Sequence, residues 1–204
     1  MKYNPDKRHR RSIRLKGYDY SGTGAYFVTI CTQDRECFFE DIVDGEMRLN
    51  DAGIMVRDVW HKIPEHFPYT DIDEFLVMPN HVHGIIVIVG APLVGAHSSG
   101  TVDHDTKNRA GTSPAPTLGD VVGTFKSITT HQYVDGVRRK NWPAFKGKLW
   151  QRNYYEHIIR DEEEIERVRK YILENPAKWA EDENNPVNII HCRDGSRTAP
   201  ANIP

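Results

Sequence analysis

The chain lacks any apolar run approaching the roughly 20 residues of a membrane-spanning helix, so no bilayer span is expected. It has three cysteines, Cys31, Cys37 and Cys192, too few and too scattered for a disulfide framework or a close-spaced zinc knuckle. Reduced thiols in a cytoplasm are the expectation. The first residues, Met1 to Arg8, are basic but carry no apolar core segment, which argues against a secretory signal. No internal repeat is present. Nor is there an excess of positive charge: a net charge of −2 argues against a uniformly basic nucleic-acid binder. With 204 residues the chain is one domain with extensions, long enough to bury a sizeable core.

The positive charge that is present is clustered. Arg10, Arg11 and Arg14 lie in an N-terminal stretch where Asp6 is the lone acid. Arg138, Arg139, Lys140, Lys146, Lys148 and Arg152 form a second, acid-free stretch, threaded by Trp142, Phe145, Trp150, Tyr154 and Tyr155. Cations interleaved with aromatics suit a phosphate backbone with unstacked bases. Two solvated charge runs would read the same way.

The most informative segment is Met78-Pro79-Asn80-His81-Val82-His83-Gly84, followed by the apolar run Ile85 to Val89. Side chains alternate along a strand, so His81 and His83 share one face and Val82 takes the other. Two imidazoles on one face could converge on a metal ion or a phosphate. Alternatively, one is exposed and the other bonds a nearby backbone group.

Around this segment the spacing predicts a strand at Ala25 to Thr32 and a hairpin about Asp44-Gly45. A helix from Asn50 or Asp51 to about Ile63 should bury Ile54, Met55, Val59 and Ile63. A strand from Asp71 to Met78 turns at Pro79-Asn80 into the histidine strand. Leu118 to Tyr133 has helical spacing, and its Lys126 and Ser127 face either phosphates or solvent. Residues Arg138 to Tyr155 read as irregular, with a short strand near Lys148 to Gln151. Asp161 and Glu164 have capping-box spacing at the head of a helix striped by Ile165, Val168 and Ile172. Asn175-Pro176 ends it. The order is that of an α+β fold with a mainly antiparallel sheet. Tyr171 and Asn175 are one turn apart and share a helix face. They are either a boundary residue and a C-cap or part of a site.

The segments Tyr26-Phe27-Val28-Thr29, Met78-Pro79-Asn80-His81-Val82-His83, Leu149-Trp150-Gln151-Arg152, Glu156-His157-Ile158-Ile159-Arg160 and Tyr171-Ile172-Leu173-Glu174-Asn175-Pro176 occur in an order that resembles the single-tyrosine HUH transposases. Within them the chain most resembles the REP-associated tyrosine transposases, from about residue 12 to 180. The resemblance implies a ferredoxin-like fold, a central antiparallel sheet with flanking helices. Charge and composition set off a basic arm (1–24), a flexible insertion at 90–117 within the catalytic domain (25–180) and a polar C-terminal tail (181–204). The implied activity is metal-dependent cleavage and strand transfer of single-stranded DNA beside hairpins, through a 5′-phosphotyrosine. On this resemblance Tyr171 is the nucleophile, and His81, His83 and Asn175 hold Mg²⁺ or Mn²⁺. His157 is metal-adjacent or structural. Candidate DNA contacts are Arg10, Arg11, Arg14, Lys126, Arg138, Arg139, Lys140, Lys148, Arg152 and Tyr154. A homodimer is one possible assembly. Two other readings share the scaffold: a domesticated, non-catalytic nucleic-acid-binding protein, and a metal-dependent phosphodiesterase that uses water. A histidine-triad hydrolase would need a third histidine where Ile85 stands.

Overall fold

The structure is a computed structural model and describes residues 23–89 and 116–189. Arg10, Arg11 and Arg14, nearly all of the 90–117 insertion and the end of the tail lie outside the described residues. Strand β1 (Gly24–Cys31) is followed by a small hairpin, β2 (Glu40–Val43) and β3 (Glu46–Leu49). Helices α1 (Asp51–His61) and α2 (Ile63–His66) lead to strands β4 (Thr70–Met78) and β5 (His81–Ile88). Then come α3 (Leu118–Lys140), β6 (Tyr155–Ile159), α4 (Glu162–Glu174), a 3₁₀ segment (Pro176–Glu181) and α5 (Pro186–Ile189).

The central sheet has the order β4-β5-β1-β6, and its pairings are antiparallel. One helical connection joins β1 to β4 and another joins β5 to β6, which is the ferredoxin-like arrangement. The expected α+β architecture is therefore present. The pleat divides the sheet into two faces. Tyr26, Val28, Ile30, Val82 and Ile86 meet α1 and α3 in the main core with Trp60, Val121 and Phe125. Phe27 and Ile85 occupy the other face and pack under Val168 and Ile172 of α4. His83 stands opposite Thr29 and His81 opposite Cys31 on β1, so both histidines lie on the α4 face.

Local chemistry explains most boundaries. Asp44 and Gly45 both have positive φ (56° and 79°), as a tight type I′ hairpin turn requires. The Asn50 side chain accepts from the Gly53 N–H and caps α1. Asp161 accepts from the Glu164 N–H, but the Glu164 carboxylate reaches back to the Arg160 N–H, one residue short of a reciprocal box.

The structure differs from expectation in four places. Helix α1 buries Ala52, Val56, Val59 and Trp60, whereas Ile54 is exposed, because the buried arc is centred one position further round. Helix α3 runs past Tyr133 to Lys140 and ends at Asn141 in the left-handed conformation. Arg138, Arg139 and Lys140 are thus its last turn, favourably placed at the negative end of the helix dipole. Tyr155 to Ile159, where no strand was anticipated, pairs with β1 at the sheet edge. Finally, the interleaved aromatics are packing residues. Trp150 is buried with its indole N–H donated to Thr129, while Trp142 and Phe145 pack on Tyr133.

Candidate functional site

The site forms where the turn between β4 and β5, the end of β1, α4 and the segment after α4 meet. His81 and His83 are both almost fully buried, with Nε2 atoms 2.9 Å apart. Each ring is held from behind. His83 Nδ1 lies 2.9 Å from Thr29 Oγ1, and His81 Nδ1 lies 2.9 Å from Asn80 Oδ1.

The Asn80 contact fixes a tautomer. Its Nδ2 donates to the carbonyls of Arg35 and Asn184, both at 2.8 Å, so its Oδ1 must be the atom that faces His81. An amide oxygen can only accept, and the His81 proton therefore resides on Nδ1. The Nε2 lone pair is left pointing into the site. Burial lowers the pKa of His81 well below the usual range, with the neighbouring His83 and Arg35 adding to it. Burial also pushes His83 down to about 3. Both imidazoles are neutral at physiological pH, the form that ligates metals.

A third donor comes from beyond α4. Asp182 Oδ2 lies 3.9 Å from His81 Nε2, and one ligand atom from each of His81, His83 and Asp182 lies within 4.8 Å of the others. Burial raises the Asp182 pKa, opposed by hydrogen bonds from Asn184. A desolvated carboxylate beside two neutral imidazoles is a donor set that gains from a cation. These residues can hold a divalent metal ion.

Tyr171 is half-buried and packs edge-on against the His83 ring, at 5.5 Å between centroids, and against Phe27 at 5.8 Å. Burial raises its pKa, and a hydrogen bond from the Asn175 side chain opposes the rise. Asn175 is buried, and its Oδ1 has no hydrogen-bond partner among the described residues. Tyr171, Asn175, Lys178, Asp182 and Asn184 line one pocket of about 200 Å³.

His81, His83, Tyr171 and Asn175 are therefore brought together. Asp182 was missed: within the run Glu181-Asp182-Glu183 nothing local singles it out. His157 lies elsewhere, bonded through Nε2 to Glu164 Oε1 at 2.7 Å, where it ties β6 to the first turn of α4. Arg169, further along α4, is bound to Asp73 at the irregularity in β4 between Ile72 and Phe75, with Nε–Oδ1 at 3.1 Å. These two clamps position the tyrosine helix across the sheet.

Replacing Asp73 with asparagine should lower stability by about 1 kcal/mol at neutral pH. The Arg169 hydrogen bond holds the Asp73 pKa below its ordinary value. Its stabilisation is thus present above the ordinary carboxylate range and lost as pH falls through the lowered value. Urea unfolding at a series of acidic pH values should show a shallower loss in Asp73→Asn than in the wild type. Parallel curves would remove this ion pair from the account.

The candidate DNA contacts fall into two groups. Lys140 lies over Trp142 and near Asp51, with Arg138 and Arg139 beside it. Lys126, Lys148 and Arg152 line a separate cleft, and Lys126 Nζ sits 5.2 Å from the Tyr154 ring centroid. Twelve residues of helix, about 18 Å, separate Lys126 from Arg138.

No family model matches the chain. An uncharacterised protein of Haemophilus influenzae is 43% identical over 186 residues, covering 89% of this chain and 96% of that protein. The chain belongs to that protein's family. A second Haemophilus influenzae protein, named provisionally as a REP-associated tyrosine transposase, is 23% identical over 78% of this chain and 74% of its own length. A solved REP-associated tyrosine transposase bound to a REP hairpin shares the fold, with a TM-score of 0.51 and 20% identity. That match covers 82% of this chain and 74% of the solved one. The chain thus resembles REP-associated tyrosine transposases, weakly in sequence and also in fold. Among the described residues no helix is long and apolar enough to cross a membrane.

Proposed function

We propose that the protein cleaves and rejoins single-stranded DNA beside hairpins, with Tyr171 as nucleophile. The observation that carries this reading is the packing of Tyr171 against His83 within one chain, in a pocket shared with Asp182. His81, His83 and Asp182 would hold the metal ion, with Asn175 Oδ1 a further donor beside them. Two neutral imidazoles with carboxylate and amide oxygens form a mixed donor set that would accept Mg²⁺ or Mn²⁺. When bound, such an ion would polarise the scissile phosphate and offset its developing charge.

The chain's own residues supply the rest. The Tyr171 ring packs against His83, and the Asn175 amide favours the ionised phenol. Attack on phosphorus forms a 5′-phosphotyrosyl bond and breaks the bond to the 3′-oxygen. The phenol loses its proton to solvent and the departing 3′-oxygen gains one. The phosphodiester energy is retained in the tyrosyl ester, so rejoining needs no nucleotide cofactor. Because the five groups come from one chain, a monomer would carry a complete site.

The test is incubation with labelled hairpin-flanked single strands and Mn²⁺ or Mg²⁺, resolved on a denaturing gel. A slow, metal-dependent band is expected in the wild type, with at least a ~10³-fold loss in Tyr171→Phe. Cutting without an adduct, unchanged in Tyr171→Phe, would overturn the nucleophile assignment in favour of water. Binding with neither adduct nor cut would favour the non-catalytic reading.

A further inference from the structure

A second concave site lies across the end of β1 from the tyrosine pocket. It is a cleft of about 360 Å³ between α3 and the segment 147–152, of a size to admit one nucleotide. Its walls include Lys126, Ser127, His131, Lys148, Gln151 and Arg152, and no acidic residue lines it. Lys148 and Arg152 are exposed and have no carboxylate partner among the described residues. Lys126 plays a different part. Its ammonium donates to the carbonyls of Gln151, Arg152 and Asn153, at 2.9, 3.4 and 3.1 Å. Its donors are thereby spent on shaping the wall, and it contributes charge rather than a direct contact. Burial lowers its pKa to about 8, which leaves it largely protonated at neutral pH.

Two glycines keep the cleft open. A Cβ at Gly123 or at Gly147 would meet nothing within 4 Å, and Gly147 has φ +76°. His131 donates from Nδ1 to the Ser127 carbonyl, which leaves Nε2 free to face a ligand.

The cleft is joined to the tyrosine pocket by backbone. Gln33 donates to the Leu149 carbonyl and Gln151 to the Cys31 carbonyl, both at 2.9 Å or less. The Cys31 thiol in turn lies 3.6 Å from Asn184 Oδ1, beside Asp182. The charges are partitioned across this junction. The tyrosine pocket is lined by Glu181, Asp182 and Glu183, and its one cation, Lys178, is paired with Glu174. The cleft has only cations and neutral donors.

We propose that this cleft binds a backbone phosphate and its nucleoside in the strand that flanks the scissile position, anchoring single-stranded DNA independently of the metal site. The proposal rests on the DNA-cleaving reading for its ligand but not on cleavage. Lys148 and Arg152 contact the phosphate, Ser127 Oγ donates to it, and the nucleoside enters between Gly123 and Gly147.

The test measures anisotropy of a labelled single-stranded oligodeoxynucleotide with EDTA present, in the Tyr171→Phe background, so that neither metal nor cutting contributes. The double variant Lys148→Glu/Arg152→Glu should raise Kd at least ~10-fold. The slope of log K against log salt should shrink by about 1 to 2. Arg57→Glu, on α1 and paired with Asp58, is a charge reversal away from the cleft and should change Kd by less than about 2-fold. Gly123→Leu, which fills the cleft without altering charge, should also weaken binding. Equal Kd values for the cleft variants and Arg57→Glu would overturn the proposal. So would a duplex of the same sequence binding as tightly as the single strand, because the cleft cannot admit a duplex. Loss of binding in the cleft variants, together with no adduct from the wild type on the metal-containing gel, would leave the cleft standing and remove the cleavage reading. Adduct formation by the wild type with binding unchanged in the cleft variants would do the reverse.

Discussion

Asp182→Asn should weaken Mn²⁺ binding by roughly 100-fold or more while leaving the metal-free protein as stable as the wild type, or slightly more so. The first expectation follows from losing a charged donor from a small ligand set. The second follows from burial. The carboxylate's raised pKa means that the fold carries its charge at a cost when no cation compensates it. Metal-dependent thermal shift separates the two effects. At a concentration of 100 times Kd, an ion stabilises the folded state by about 2.7 kcal/mol, and that increment should be nearly absent in Asp182→Asn. Isothermal titration with Mn²⁺ gives the affinity directly. An unchanged affinity would exclude Asp182 from the ligand set and return the third position to Asn175.

Gly84→Ala should be the most destabilising small substitution in the histidine strand, at about 3 kcal/mol or more. A Cβ there would lie 2.3 Å from Trp60 Cζ2 and 2.8 Å from Cη2. Trp60 cannot yield, because it is fully buried, stacked on Phe75 at 4.4 Å and set edge-on to Phe125. Overpacking of this kind forces the backbone to move instead. The strand that would move carries His83 one residue away, so metal affinity should fall together with stability. Gly123→Ala is the matched comparison. Its Cβ meets nothing within 4 Å and its position is helical, so it should gain up to about 1 kcal/mol. Denaturant unfolding of both variants checks the pair, and comparable midpoints would contradict this packing argument.

Strongly patterned local features were legible in the sequence. The alternation of His81, Val82 and His83 placed both imidazoles on one face, and the register with Thr29 and Cys31 agrees. The Asp44-Gly45 turn, the Asn50 cap and the α4 stripe needed only a few neighbouring residues to be read. Asp182 needed something else. Its position depends on Asn80 and Asn184, whose pairing spans 104 residues and leaves no periodic trace. Strand β6 escaped notice because Tyr155 to Ile159 is short and carries a glutamate and a histidine. It becomes a strand because β1 offers an open edge. The aromatics between Trp142 and Trp150 looked like a stacking surface because composition does not distinguish a ring in solvent from one in the core. Close approach of Trp142 to Gly136, where a Cβ would sit 2.1 Å from the indole, drew them inward.

The Asn80 side chain that orients His81 also bonds the Asn184 carbonyl, and this imposes an order on maturation. At translation rates of about 5 to 20 residues per second, the 104 residues between them take roughly 5 to 20 s to make. During that interval the nascent sheet can hold its histidine pair but has no carboxylate to join it. The complete set of donors therefore exists only once the segment after α4 has been made and has folded back onto the histidine strand.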